Sequence, residues 1–281
     1  MFYLLNILIQ MKILSDNISL FKSLRPFNDL GFVPTMGGIH KGHLSLIDNS
    51  NKLCKKTIVS IFINPKQFNN KNDLKSYPQN IKKDLQILRI SKKVDYVYIP
   101  KFKDVYNDKI KKEFKLSKKD KILCAKYRKG HFEGVLDVMN RLTKLINPTK
   151  IFMGEKDFQQ LYLVKKLLEK KYKTKVISCK TIRDKNNVAL SSRNFLLNKS
   201  QLKVAASIYK NVSKIKSNMK NRKNITTFLE HKKNKLKNSY KIKIDYLELR
   251  NRKNLELSKT TNNSKLFIAY YLKNVRLIDN L

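Results

Sequence analysis

The segment PTMGGIHKGH, Pro34 to His43, places two of the chain's four histidines in one glycine-rich stretch. Gly37 and Gly38 let the backbone approach a ligand closely. The residues that follow carry apolar side chains at helical spacing, so the turn opens a helix whose free N–H groups and positive dipole end suit a phosphate. His40 and His43 stand three apart, so their rings can reach one bound group. Imidazoles hydrogen-bond phosphoryl oxygens and stabilise charge that builds as pyrophosphate leaves. Two other readings compete. A zinc pair needs further ligands, and no cysteine or acidic cluster stands nearby. A pair of ordinary surface histidines fits poorly with half of the histidines sharing a single strand-to-helix turn. The segment is neither a Walker loop nor a Gly-x-Gly-x-x-Gly fingerprint. A second polar group, Asn64 and Gln67, lies just beyond an apolar run, at the end of a strand where α/β sheets bind ligands. Taken alone, a glutamine there reads as solvated.

His-x-Gly-His in this position resembles the signature of the nucleotidyltransferase superfamily, which includes the class I aminoacyl-tRNA synthetases. Four further segments narrow the resemblance: SIFINPKQF (Ser60 to Phe68), YRKGHFEGV (Tyr127 to Val135), GEKDFQQL (Gly154 to Leu161) and ALSSRN (Ala189 to Asn194). Their order and spacing are similar to those of the pantothenate synthetase family, from about Met11 to the closing RLIDN. The resemblance implies an AMP-forming ligase. It joins (R)-pantoate to β-alanine with ATP through a pantoyl adenylate, uses Mg2+ with the ATP, needs no prosthetic group, and works as a homodimer through its N-terminal domain.

The resemblance also implies roles. ATP meets Met36, Gly37, Gly38, Ile39, His40, Lys41, Gly42 and His43, then Gly154, Glu155, Lys156 and Asp157, with Ile182 at the adenine. Leu190, Ser191, Ser192 and Arg193 take the part of the second synthetase signature. His40, His43, Lys156, Ser192 and Arg193 are the expected catalytic set, with His43 as proton donor to the leaving group. Gln67, Gln160 and Asn64 hold pantoate, and Gln67 also meets β-alanine. Neutral amides bind a carboxylate without lowering its nucleophilicity as a full charge pair would. Three positions depart from the family: Asn187 stands for a glycine, Lys129 for a proline, and Lys83 precedes Asp84 where an acid is usual. The last leaves Asp84 a doubtful magnesium ligand and the ion mainly on the ATP phosphates. The alternatives are another nucleotidyltransferase of the superfamily acting on a different small acid, whose product keeps the nucleotide, and a nucleic-acid-binding protein.

Positioning these groups requires alternating strands and helices. Leu30–Pro34, Thr57–Ile63, Tyr96–Ile99, Lys150–Met153 and Lys175–Cys179 read as strands, the apolar run TIVSIFI being of the kind covered on both faces. Helices read over Gly42–Cys54, Asn80–Ile90, Val135–Leu145 and Gln159–Glu169. That order predicts an α/β fold: a doubly wound, Rossmann-like parallel sheet. Helices over Lys199–Met219 and Ile225–Leu236, then strands over Lys241–Leu249 and Lys265–Tyr271, predict a smaller α+β C-terminal domain. The division is expected at 183/184, residues 184–281 forming a lid.

The chain carries 62 Lys+Arg against 21 Asp+Glu, a formal charge of +41. The lysines are scattered along the whole length and travel with asparagine, as an A/T-rich codon bias produces, and no aromatic residues interleave with them. Nucleic acid is therefore not expected as a partner despite the charge. Cys54, Cys124 and Cys179 are widely spaced, the pattern of reduced thiols in the cytoplasm. Residues 1–10 are apolar, too short to span a bilayer, and read either as an extension before Met11 or as an upstream start chosen in error. No membrane association is expected.

Overall fold

The computed structural model describes residues 11–106, 114–219, 222 and 224–281, so the expected extension at residues 1–10 lies outside the described residues. The chain opens with β1 (Lys12–Leu14), α1 (Asn17–Leu24) and β2 (Leu30–Thr35), then α2 (Lys41–Leu53) and β3 (Lys56–Ile61). It continues through α3 (Lys71–Lys75), α4 (Ile81–Ser91), β4 (Tyr96–Tyr98), α5 (Phe102–Val105) and α6 (Cys124–Tyr127). The long helix α7 (His131–Ile146), β5 (Lys150–Gly154), α8 (Phe158–Lys171) and β6 (Lys175–Cys179) complete the first layer. All six strands are parallel, in the order β1-β4-β3-β2-β5-β6. The central strands bury Phe32, Val33, Ile58, Val59, Ile151 and Phe152 completely, so helices cover both faces.

From β2 the chain winds one way to β3 and β4, then crosses back to β5 and β6. The loops after β2 and β5 therefore leave adjacent strands toward opposite faces, which opens a crevice at the strands' carboxyl ends. β1 and α1 were not expected. Three residues are too few to show a period, and α1 is fixed by its cap, Asp16, which accepts from the Ser19 N–H at 2.8 Å. The third strand ends at Ile61 rather than Ile63, because the chain turns at once into a 3-10 segment, Pro65–Gln67.

Beyond it, α9 (Lys199–Ser217) and α10 (Ile225–Tyr240) precede an antiparallel sheet of β7 (Ile244–Asn251), β8 (Ser264–Leu272) and β9 (Val275–Asn280). Alternation assigns its two faces. Leu247, Leu249, Leu266, Ile268 and Tyr270 pack on Ile208, Val212 and Leu229 of the two helices, while Tyr246, Phe267 and Ala269 join the core of the first layer. The last strand, VRLIDN, escaped expectation because Arg276 and Asp279 interrupt its apolar pattern; both side chains are held in ion pairs, with Asp245 and Arg183. The strand expected from Lys241 starts at Ile244, since Lys241 closes α10 in the left-handed conformation, φ 50°.

Candidate active site

The glycine-rich loop is held from behind. Asp84, buried at the start of α4, accepts from the N–H groups of Gly38 (2.9 Å) and Ile39 (2.8 Å), and Thr35 Oγ1 accepts from Gly37 N–H at 3.2 Å. Gly37 and Gly38 have φ of 81° and 63°, and a Cβ on Gly38 would lie 2.9 Å from Ser192 Oγ. Ser192 Oγ donates to the Gly38 carbonyl at 3.1 Å, joining the SSR segment to the loop.

His40 caps α2, its Nδ1 accepting from Gly42 N–H at 3.0 Å, and His43 Nδ1 accepts from His40 N–H at 3.4 Å. The rings stack with centroids 4.1 Å apart. With both Nδ1 atoms accepting, each neutral ring carries its proton on Nε2. Burial, reinforced by the Lys156 charge, pushes His40 down to about 4; burial, then the neighbouring His40 and Lys156, pushes His43 down to about 3. Both imidazoles are neutral near pH 7.

The GEKD turn follows β5. Its carbonyls at Glu155 and Lys156 accept from Asn280 Nδ2 at 2.8 and 2.9 Å, and Lys156 Nζ lies 3.6 Å from Asp157. Arg193 donates from Nη2 to both oxygens of Asp73, at 3.0 and 2.9 Å. Gln67 is buried beside Asn64, whose Nδ2 donates to Gln67 Oε1 at 3.2 Å and to the Gly134 carbonyl at 3.1 Å. Behind it, His131 Nδ1 donates to the Gln67 carbonyl at 2.7 Å while its Nε2 accepts from Arg128 at 2.8 Å. Burial and the Arg128 charge push His131 down to about 3, which keeps Nε2 an acceptor.

These segments meet around one cavity of about 230 Å³. Of the expected residues, its walls include Met36, His40, Gly42, His43, Gln67, Gly154, Lys156, Asp157, Gln160, Ile182, Leu190, Ser191, Ser192 and Arg193. Seven others stand elsewhere. Ile39 is buried in the core under the sheet, and Lys41 is exposed at the start of α2. Gly37 and Gly38 shape the loop through their backbone. Glu155 turns away to Lys265, 2.9 Å, and Ser178, 2.8 Å. Asn64 is a support for Gln67 and does not line the cavity. Asp84 accepts one N–H of the glycine loop on each of its two oxygens and so clamps that loop. Among the described residues no three His, Cys, Asp or Glu side chains gather as a metal centre.

Asn187 takes φ 64°, so the turn that a glycine would make is kept. Arg128, His131, Asp73, Tyr77 and Asn280 were not anticipated at the site. Arg128 and His131 stand inside YRKGHFEGV, where a basic residue three before a histidine was the available signal. Asp73 and Asn280 gave none, since their partners are 120 and 124 residues away.

The pantoate-beta-alanine ligase family model matches residues 10–281. The pantothenate synthetase of Flavobacterium psychrophilum is 37% identical over 269 residues, covering 92% of this chain and 94% of the relative. That of Ruthia magnifica is 39% identical over 254 residues, covering 90% of each chain. Among solved structures, the pantothenate synthetase of Thermus thermophilus superposes with a TM-score of 0.89 at 28% identity, covering 96% of this chain and 99% of its own. The Francisella tularensis pantoate-beta-alanine ligase, solved with beta-gamma ATP and beta-alanine, gives 0.83 at 35% identity, covering 97% of each chain.

Proposed function

The chain belongs to the pantoate-beta-alanine ligase family, and from that premise we propose how its residues carry out the reaction: ATP-dependent condensation of (R)-pantoate with β-alanine through pantoyl adenylate, releasing AMP and pyrophosphate. The observation that carries the reading is convergence. The imidazole pair, Lys156 and the Ser191–Arg193 segment line the same cavity as Gln67 and Gln160.

Gln67 and Gln160 hold pantoate by its carboxylate and hydroxyls, leaving the carboxylate nucleophilic toward the α-phosphorus of MgATP. Ile182 and Leu190 border the adenine, and Asp157 accepts from a ribose hydroxyl. As pyrophosphate departs, its charge is met by the cations Lys156 and Arg193 and by hydrogen bonds from His40, His43 and Ser192, so positioning and electrostatics dominate. His43, with the proton of its neutral ring on Nε2, is the hydrogen-bond donor to the leaving group. The amine of β-alanine then attacks the acyl carbon and AMP leaves.

The magnesium travels with the ATP phosphates, and the chemistry calls on no prosthetic group. The C-terminal layer, from about residue 184, acts as the lid that keeps water from the mixed anhydride. The protein acts in the cytoplasm as a homodimer; light scattering that gave the mass of one chain would remove the dimer. Among the described residues no helix is long and apolar enough to cross a membrane.

The test is to supply ATP, Mg2+ and pantoate with and without β-alanine. Pyrophosphate should appear with pantoate alone, and AMP should follow on adding the amine. A product that retains the nucleotide after the amine is added would point instead to a nucleotidyltransferase acting on another acid.

A further inference from the structure

Tyr106 closes α5 and stands outside the cavity wall, yet its hydroxyl reaches a residue that holds Gln67. Its ring is caged. Phe102 stacks on it with centroids 4.7 Å apart, Lys66 Nζ lies 4.1 Å from its centroid, and the Arg141 guanidinium lies 4.8 Å away. Asp137 of α7 pairs with both cations, Arg141 at 2.7 Å and Lys66 at 3.7 Å. Burial, and then the Asp137 charge, push the phenol above its ordinary value, so it keeps its proton and donates.

The acceptor is Asn64 Oδ1, at 2.9 Å. Asn64 is buried, and its amide is fully engaged. Oδ1 also accepts from the Lys66 main-chain N–H at 3.2 Å, while Nδ2 donates to the Gly134 carbonyl at 3.1 Å and to Gln67 Oε1 at 3.2 Å. A main-chain N–H can only donate and a main-chain carbonyl can only accept, so the Asn64 amide has one sense. That sense is handed on to Gln67. Its Oε1 accepts from Asn64, and its Nε2, 2.9 Å from the Met36 thioether, is the end offered to the cavity that both residues line. A thioether is a weak acceptor, so a substrate oxygen displaces it. Of the four bonds that fix Asn64, the one from Tyr106 is the shortest and the only one donated by a side chain.

Resting on the reaction proposed above, we infer that Tyr106 is a positioning residue for the acid: through Asn64 it holds the Gln67 amide with its N–H toward the cavity, so that this wall grips a hydrogen-bond acceptor, a carboxylate or hydroxyl oxygen. An amide turned over would set its carbonyl against a carboxylate oxygen, lone pair against lone pair. Each bond along such a chain polarises the next, so losing the first weakens the last.

The experiment compares the wild type, Tyr106→Phe, Gln67→Ala and the double variant. It reads kcat/KM for pantoate at saturating ATP and β-alanine, and the KM for ATP. Tyr106→Phe keeps the ring and its cage and removes only the hydroxyl. It should lower kcat/KM for pantoate by about tenfold, as for loss of one hydrogen bond to a buried amide, and leave the KM for ATP within about twofold. In the Gln67→Ala background the same change should cost less than about twofold, because its effect runs through Gln67. Asn64→Asp keeps the acceptor for Tyr106 but has no N–H for Gln67, so its loss should exceed that of Tyr106→Phe. Equal losses with and without Gln67 would make Tyr106 a merely structural residue, and a matching rise in the KM for ATP would mean general loosening. Wild-type kcat/KM for pantoate in Tyr106→Phe or Asn64→Asp would show that the amide needs no such hold. Each of these overturns the inference. A wild type that releases no pyrophosphate from ATP and pantoate would instead end the proposed reaction itself.

Discussion

The side-chain amide of Asn280 donates to the main-chain carbonyl of Lys156 at 2.9 Å, across 124 residues of sequence. The same nitrogen reaches the Glu155 carbonyl at 2.8 Å, and Lys265 holds both Asn280 Oδ1 and Glu155. The turn that presents the lysine is thus fastened to the antiparallel sheet as well as, through Ser178, to β6 of its own layer. Asn280→Ala leaves two carbonyls and an ammonium short of partners, at about 1–3 kcal/mol in stability. Adenylate formation should fall by roughly tenfold or more, because a small displacement of a positioning cation is expensive in rate. Denaturant melts and pyrophosphate release measure the two effects; wild-type values for both would show that the turn stands unaided.

His43→Ala should lower adenylate formation by at least about a hundredfold while the protein stays folded. A circular dichroism spectrum like the wild type's, together with near-normal pyrophosphate release, would remove the imidazole pair from the chemistry.

The same buried imidazoles make the fold sensitive to acid. His40, His43 and His131 sit at about 4, 3 and 3 in the folded chain, below the ordinary value of 6.5, burial being the main cause. Below pH 6.5 the unfolded chain binds protons that the folded chain refuses, so stability is lost as the pH falls from 6.5 toward those values. Each ring contributes on the order of 1 kcal/mol per pH unit in that window. Urea melts at pH 7 and pH 5 should show the loss, and His131→Gln should shrink it. Equal midpoints at the two pH values would contradict neutral burial.

Asp84→Ala strips two N–H groups of the glycine loop of their acceptor and should destabilise the protein by about 1–3 kcal/mol. The magnesium concentration for half-maximal activity should stay at its wild-type value. A large upward shift in that concentration would return Asp84 to the ion.

Asp73→Asn frees Arg193 from a half-exposed ion pair, with side chains 24% and 34% accessible. Such pairs contribute little, so the KM for ATP should fall by only about two- to fivefold, and less at high salt. A raised KM would mean that Asp73 orients the arginine instead of competing for it.

Where the sequence could be read, local pattern was decisive. The apolar runs through Ile58 and Ile151 announced buried parallel strands, and the glycines beside His40 and His43 announced the turn that brings both imidazoles to the cavity wall. Gln67 and Gln160, which carry no local signal and were singled out through motif likeness, both line the cavity. What stayed hidden depends on contacts distant in sequence. The strand end that carries Asn64 suits a ligand, but its partners, the Gln67 side chain and the Gly134 carbonyl 70 residues away, show only in the fold. Asp84 lies in a helix start that any cap could occupy, and only the folded loop reveals its partners. Arg128 was quoted within a motif and passed over, one basic residue among 62.

The crevice between β2 and β5 exists because the winding changes direction there, not because any side chain props it open. Met36, His40, Lys156 and Asp157 of the cavity wall stand on the two connections that leave β2 and β5 at that reversal, while the central strands carry the burial. Specificity and foldability are therefore written in largely separate parts of the chain, and directed evolution can retarget the acid or the amine by recasting connections over an unaltered frame.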